Sequence, residues 1–185
     1  MSVIANGRVG VQRQDPRAAF ERLFVAEYAR VVAIANRVLA DAHEAEDAAQ
    51  EVFAAFHRRH PPEAPYAAAW LHAAAAHTAL NVLRGKRRRS RREAADVTAG
   101  ERLREVAEAA LDPQQSLERA EARREVRRAL DRLPPRQAAA LVLRYSGLSY
   151  AEVAAALGAP VDQVGTILRR GETALRREMG DEAHR

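Results

Sequence analysis

The segment SYAEVAAALGAPVDQVGTILRR, residues 149–170, predicts two short helices around a tight turn, which is the arrangement of a helix-turn-helix. Ser149, with Glu152 three residues later, has the spacing of a capping box that begins the first helix. Gly158 supplies the permissive backbone that the turn needs, and Pro160 begins the second helix. An ordinary helical hairpin is the alternative that these residues alone leave open.

The side chains of this segment divide into a buried and an exposed set. In the predicted buried set, Ala154 is the small residue where the two helices touch. Four apolar residues fix both helices to a third: Val153, Leu157, Val164 and Ile167. On the second helix, the residues predicted to face solvent are Asp162, Gln163, Gly165, Thr166, Arg169 and Arg170. Glutamine and threonine side chains contact base edges, and arginine side chains bind phosphate or guanine. The residues that we predict to bind DNA are therefore Gln163, Thr166, Arg169 and Arg170.

The composition favours a helical protein with a polyanionic partner. Of the 185 residues, 48% are apolar but only 5% are aromatic, so alanine and leucine must form most of the core, which favours helices over sheets. The net charge of +5 suits a polyanion such as DNA. The chain has no cysteine, which excludes disulfides and thiolate metal sites. The sequence has no apolar span and no signal-peptide pattern, so we expect no membrane insertion and a cytoplasmic location.

Helical patterns also fill the sequence upstream of the helix-turn-helix. Pro16 suits the first turn of a helix whose apolar residues recur at helical spacing: Phe20, Leu23, Phe24, Val31, Ile34, Val38 and Leu39. Asp41 with Glu44 resembles a second capping box. The three prolines of HPPEAPY, residues 60–66, predict a loop. The alanine-rich helix after this loop runs into the basic cluster RGKRRRSRR, residues 84–92.

We predict an all-α fold of two small helical domains joined by a flexible linker, with the helix-turn-helix in the C-terminal domain. The predicted segments are a flexible N-terminal tail at residues 1–16, a first domain at 17–92, a linker at 93–113 and a second domain at 114–180. The linker is polar and lacks aromatic residues, which sets its bounds. The sequence has no strand pattern and no internal repeat.

Three segments together resemble bacterial extracytoplasmic-function (ECF) sigma factors, the smallest class of sigma factor. They are AEDAAQEVFAAF at residues 45–56, AWLHAAAAHTALNVLRGKRRR at 69–89, and the segment at 129–178 that contains the helix-turn-helix. Their order and spacing match the family over most of residues 17–178. The resemblance implies a protein that is not itself an enzyme but directs one to promoters. The partners that it implies are core RNA polymerase, promoter DNA and an anti-sigma factor.

The resemblance also implies residue roles. The residues that it places against core RNA polymerase are Asp47, Gln50 and Glu51. The loop at residues 60–66 corresponds to the family's specificity loop, which holds a flipped base of the minus-ten promoter element. The helix-turn-helix corresponds to the domain that binds the minus-thirty-five element. The remaining residues implied to bind DNA are Arg59, His60, Tyr66, Trp70, His77, Arg84, Lys86, Arg87, Arg88 and Arg89.

Two alternative functions remain open at this point. A stand-alone helix-turn-helix regulator would explain the C-terminal segment but has no need of EDAAQEVF. A sigma-like protein that only binds a partner would explain Ala73, Ala76 and His77, which stand where the family often has arginine and asparagine. QVGTIL replaces the family's frequent TVKSRL in the recognition helix, which implies an altered promoter preference. The sequence has no nucleophile–base set that would indicate an enzyme. Its histidines lack the spacing of metal ligands, and no motif indicates another cofactor.

Overall fold

The computed structural model describes residues 15–96 and 113–182, and every regular element in these two ranges is an α-helix. The helices are α1 (Pro16–Leu39), α2 (Ala42–Arg59), α3 (Ala67–Asp96), α4 (Pro113–Arg132), α5 (Pro135–Tyr145), α6 (Tyr150–Leu157) and α7 (Val161–Glu182). The all-α fold class is therefore confirmed.

Local capping residues begin the first two helices where the sequence predicts. Pro16 lies in the first turn of α1, and the Asp15 carboxylate accepts a hydrogen bond of 3.0 Å from the backbone N–H of Arg17. The Asp41 carboxylate accepts one of 3.1 Å from the backbone N–H of Glu44, which satisfies a free donor at the start of α2. The Glu44 carboxylate pairs with Lys86 on α3, so this side chain ties two helices together.

The N-terminal core forms where α1 packs against α2 and α3. Val31, Ile34 and Val38 are fully buried on α1, as the helical spacing predicts. Phe24 differs from the expectation of a buried stripe, because 36% of its surface is exposed. Its ring stacks on Tyr28 with centroids 4.7 Å apart and contacts Phe53 at 4.9 Å, so it closes the edge of the core.

The helix-turn-helix forms from α6 and α7 as predicted. The Ser149 hydroxyl accepts a hydrogen bond of 3.3 Å from the Glu152 backbone, and the Glu152 carboxylate accepts one of 2.7 Å from the Ser149 backbone, which completes the capping box. Gly158 has a φ of +57°, the left-handed conformation that ends α6 and turns the chain. Ala154 and Val164 are buried at the contact between the two helices and their support.

The support for α7 is α5, which it crosses at Gly171. A Cβ atom at this glycine would lie 3.2 Å from Leu141 Cγ and 3.4 Å from Gln137 Cβ. The missing side chain therefore allows the close approach of the two helices, and this crossing fixes the direction in which α7 leaves the helix-turn-helix.

The two predicted domains contact each other through α3. Besides α1 and α2, this helix packs against α4, α5 and α6, so one continuous core links both halves of the described chain. The helix α3 extends to Asp96, beyond the predicted domain boundary at residue 92, and α4 begins at Pro113. Residues 1–14 of the predicted tail at 1–16 and residues 97–112 of the predicted linker at 93–113 lie outside the described residues. The two-domain division itself stays a prediction.

Candidate functional site

An acidic and polar face runs along the outside of α2. Asp47, Gln50 and Glu51, the residues that the family resemblance places against RNA polymerase, are all exposed there. Val52 and Phe53 lie on the opposite, buried face, which orients the helix. Residues four apart lie on one face of a helix, so the Asp47 and Glu51 carboxylates are available to the same partner surface.

The loop after α2 carries a small aromatic cluster. His60 follows the last residue of α2, and its Nδ1 lies 3.4 Å from the Tyr66 hydroxyl. The His60 ring contacts Trp70 with centroids 4.8 Å apart and Phe56 at 5.2 Å, and Phe56 is fully buried. Tyr66 is exposed, and Trp70 is only half-buried. Trp70 therefore both packs on the core and presents part of its ring at the surface beside Tyr66.

The predicted DNA-binding residues of α3 differ in their surroundings. His77 is exposed, and partial desolvation, with the Arg84 charge as the lesser cause, lowers the pKa of its imidazole. Arg88 and Arg89 are exposed, as is Arg59 at the end of α2. Lys86 pairs with Glu44 across the gap to α2.

Arg84 and Arg87 lie against a single carboxylate, that of Asp131 on α4. The Arg87 Nη1 donates a hydrogen bond to Asp131 Oδ2, and Arg84 Nε lies 3.8 Å from Oδ1. Arg84 also donates a hydrogen bond of 3.3 Å to the backbone carbonyl of Leu133. The exposed fractions of the side chains are 19% for Arg84, 26% for Arg87 and 8% for Asp131.

The recognition helix α7 presents most of its predicted residues to solvent. Gln163, Arg169 and Arg170 are exposed, and Thr166 is half-buried. A groove of about 600 Å³ between α5 and α7 is lined by Pro134, Gln137, Thr166, Arg169, Arg170, Thr173, Ala174 and Arg177. Three arginines on this lining make it a surface suited to phosphate.

Gly165 is a correction to the predicted exposed set. It is half-buried, and a Cβ atom there would lie 3.7 Å from Cε1 of Tyr150 at the start of α6. A side chain at this position would therefore point towards the neighbouring helix of the motif, while part of the residue stays exposed. The reason is the tight turn at Gly158, which folds the N-terminus of α6 back over this part of α7.

Two further polar contacts between helices were also not predicted from the sequence. His72 is buried, and its Nε2 lies 2.7 Å from Glu27 Oε2 on α1. Arg30 on α1 pairs with Glu152 on α6, with Nη1 and Oε1 3.1 Å apart. No local pattern signals either pair, because the partners are far apart in the sequence.

Within the described ranges, no group of side chains is suited to hold a metal ion. In the same part of the chain, no helix is long and apolar enough to cross a membrane.

Comparisons with known proteins match both halves of the chain. The family described as Sigma-70 region 2 matches residues 23–89, and Sigma-70, region 4 matches residues 123–175. An RNA polymerase sigma-H factor of Pseudomonas aeruginosa is 34% identical over 174 residues, covering 89% of this chain and 88% of the relative. A solved structure of the sigma factor RpoE in complex with the anti-sigma factor NepR, from Bartonella quintana, has 21% identity and a TM-score of 0.48, with 87% of this chain and 96% of that chain covered.

Proposed function

Because this chain belongs to the sigma-70 family, in its extracytoplasmic-function class, we propose that its two halves have different binding roles. In this proposal, α1–α3 bind core RNA polymerase and the minus-ten element. The protein is a transcription initiation factor that directs RNA polymerase to promoters. In the proposal, the helix-turn-helix of α6 and α7 reads the minus-thirty-five element. In this proposal the protein gives RNA polymerase its promoter specificity and is not itself an enzyme.

The observation that supports polymerase binding is the exposed face of α2. Asp47, Gln50 and Glu51 lie together, outside the core, within the segment that matches region 2. A stand-alone regulator needs no such face, so this segment favours the sigma factor. We assign these three side chains to the polymerase contact.

The test reverses the charge of two acidic residues on α2 and, as a control, of one exposed acidic residue outside the proposed contact. Asp47→Lys and Glu51→Lys are expected to weaken binding to core RNA polymerase, measured by co-purification and by titration with labelled protein. Glu121→Lys makes the same change at an exposed position on α4, away from the α2 face, and is the matched control. Equal binding by all three variants, with normal helical content, would show that α2 does not contact the polymerase.

The minus-ten element is assigned to the loop beside Trp70. Taking a base out of the stack costs a few kcal/mol, which stacking and hydrogen bonds in a pocket must offset. Tyr66 is an exposed ring that contacts His60, and Arg59, the residue before His60, is an exposed cation. Together these side chains offer a stacking surface, a hydrogen-bonding group and a positive charge within one short segment.

The minus-thirty-five element is assigned to α7. Gln163 is exposed in the first turn and Thr166 follows one turn later, where side chains of a recognition helix meet base edges. A paired contact of glutamine to adenine contributes about 1–3 kcal/mol of discrimination. Arg169 and Arg170, further along, are assigned to phosphates.

Selection from a promoter library distinguishes these two roles. Gln163→Ala and Thr166→Ala are expected to change the selected sequence, whereas replacing Arg169 and Arg170 by alanine lowers affinity for every sequence and reduces the salt slope by about one unit per lost contact. Arg176→Ala, at an exposed side chain further along α7, is the control. An unchanged sequence preference for the Gln163 variant would place specificity elsewhere.

An anti-sigma factor is the third proposed partner, on the basis of the family. An anti-sigma factor that covers the α2 face around Asp47, Gln50 and Glu51 would keep the polymerase away. The proposed place of action is the cytoplasm, since RNA polymerase works there.

A further inference from the structure

His60 connects the surface loop after α2 to the N-terminal core. Its backbone N–H donates a hydrogen bond of 2.9 Å to the Phe56 carbonyl. Pro61 follows it and favours the extended backbone that it adopts, with φ −135° and ψ 142°. The centroid of its ring lies 5.2 Å from that of Phe56 and 4.8 Å from that of Trp70. Because Phe56 is fully buried, the imidazole is anchored on the core.

Tyr66 depends on His60 for the direction of its ring. The Tyr66 carbonyl accepts a hydrogen bond of 2.9 Å from the backbone N–H of Trp70, which fixes its backbone at the start of α3. The side chain, however, belongs to a residue that is 47% exposed. In the described part of the chain, the only ring that Tyr66 contacts is that of His60, edge-on with centroids 5.7 Å apart. The Tyr66 hydroxyl also lies 3.4 Å from His60 Nδ1, so the imidazole contacts this exposed side chain at both its ring and its hydroxyl.

An oriented aromatic ring at the surface suits an unstacked base. Stacking on an aromatic side chain strengthens the binding of a single strand whatever its sequence, since every base has a π face. A side chain that becomes ordered on binding loses conformational freedom, and a ring that is already held in place avoids this cost. Tyr66 is open to solvent, whereas His60 is half-buried among other rings. The surface that a base can reach therefore belongs mainly to Tyr66.

We propose that His60 is a positioning residue, which holds the Tyr66 side chain so that an unstacked base of the opened promoter strand stacks on the Tyr66 ring. His60 then acts through Tyr66 and does not itself contact the DNA, which differs from the direct role that the family resemblance implies. This inference rests on the minus-ten role proposed for the loop.

A double-mutant cycle tests whether His60 acts through Tyr66. The full chain is bound to core RNA polymerase, the probe is a labelled single strand of random sequence, and core polymerase alone is the blank. His60→Phe keeps a ring but has no Nδ1, and Tyr66→Phe removes only the hydroxyl. Each variant, and the double variant as well, is expected to bind about threefold more weakly, as for the loss of one shared hydrogen bond. A double variant that binds about ninefold more weakly has lost two independent contacts and overturns the proposal. Binding like the parent by either single variant also overturns it.

Asparagine and leucine at position 60 separate the hydrogen bond from the packing. The two side chains have the same branched shape and both lack the imidazole ring, but only His60→Asn keeps a hydrogen-bonding atom at the position of Nδ1. His60→Asn is expected to bind the strand about threefold more tightly than His60→Leu, and this difference is expected to vanish in the Tyr66→Phe background. Equal binding by His60→Asn and His60→Leu overturns the proposal. The fluorescence of Trp70, the one tryptophan of the chain, and thermal unfolding show whether each variant folds.

An abasic strand distinguishes this inference from the proposed function. It has the same phosphates but no base to stack, so the parent, Tyr66→Ala and the His60 variants are expected to bind it equally. On the random-sequence strand, Tyr66→Ala is expected to bind about tenfold more weakly, as for the loss of one stacked base. Binding like the parent by Tyr66→Ala contradicts the minus-ten role proposed for this ring and, with it, the role of His60. If Tyr66→Ala does lose affinity, then additive losses in the cycle, or a His60 effect that persists on the abasic strand, overturn only the positioning role.

Discussion

Two glycines on α7 differ in what a methyl group would meet, and they predict opposite effects of the same substitution. In a helix interior, replacing glycine by alanine stabilises by about 1 kcal/mol. At Gly165 the added Cβ would lie 3.7 Å from a carbon of Tyr150, which is an ordinary van der Waals contact. Gly165→Ala is therefore expected to raise the free energy of unfolding by about 1 kcal/mol.

At Gly171 the same methyl group would meet a packed neighbour. It would lie 3.2 Å from Cγ and 3.3 Å from Cδ1 of Leu141, whose side chain is buried in the core and has little room to move. Overpacking a core costs about 1–3 kcal/mol, which exceeds or matches the gain in helix propensity. Gly171→Ala is expected to lie about 2 kcal/mol below Gly165→Ala in stability.

Urea and thermal unfolding followed by circular dichroism measure both variants. For a chain of this length, a difference of about 2 kcal/mol corresponds to about 4–8 °C in Tm. Gly180→Ala, where the methyl group would meet nothing within 4 Å, controls for helix propensity alone. Equal stabilisation by Gly165→Ala and Gly171→Ala would refute the reasoning, because it would show that Leu141 moves aside without cost.

Three further predictions concern the core, the helix cap and one histidine. Phe56→Ala is expected to lower the free energy of unfolding by about 3–5 kcal/mol in urea titrations, because the ring is fully buried beneath the His60 loop. The backbone hydrogen bond from Ser149 is the main cause that lowers the pKa of the Glu152 carboxyl. The stability that this carboxylate contributes is therefore complete at neutral pH and is lost as the pH falls through the lowered pKa. The unfolding midpoints of the parent and of Glu152→Gln should converge in acid. Desolvation lowers the His77 pKa from 6.5, so the free energy of unfolding should decrease as the pH falls through 6.5 and level off below the lowered pKa. In Arg84→Gln, an NMR titration should show a His77 pKa slightly closer to 6.5, because the Arg84 charge is the smaller cause.

The parts of the fold that the sequence predicts depend on local signals. Pro16, Asp41 and Ser149 begin helices because capping and first-turn chemistry involve residues only two to four positions apart. Gly158 turns the chain because few other residues adopt a positive φ. The exposed face of α2 follows in the same way from the helical period of its buried residues.

The parts that the sequence does not predict depend on distant partners. Gly165 was expected to face solvent, but the direction of its missing side chain is set by how α6 folds over α7. Phe24 has the right spacing for the core and still lies at its edge, because its neighbours are contributed by other turns and another helix. Arg84 and Arg87 belong to an unbroken basic run, and nothing in that run indicates which of its members meet Asp131.

A DNA phosphate that binds Arg84 and Arg87 would exchange one anion for another, because both side chains contact the Asp131 carboxylate. When a phosphate replaces the carboxylate, Arg84 and Arg87 keep an oxygen partner and are not left buried without a charge partner, which avoids the large penalty of an unpaired buried ion. Arg88 and Arg89 are exposed while the contact is closed, so they can attract a strand before the exchange begins. Salt screens those exposed charges more than it screens the covered Asp131 pair. Rising salt therefore weakens the approach of DNA to Arg88 and Arg89 more than it weakens the contact of Asp131 with Arg84 and Arg87.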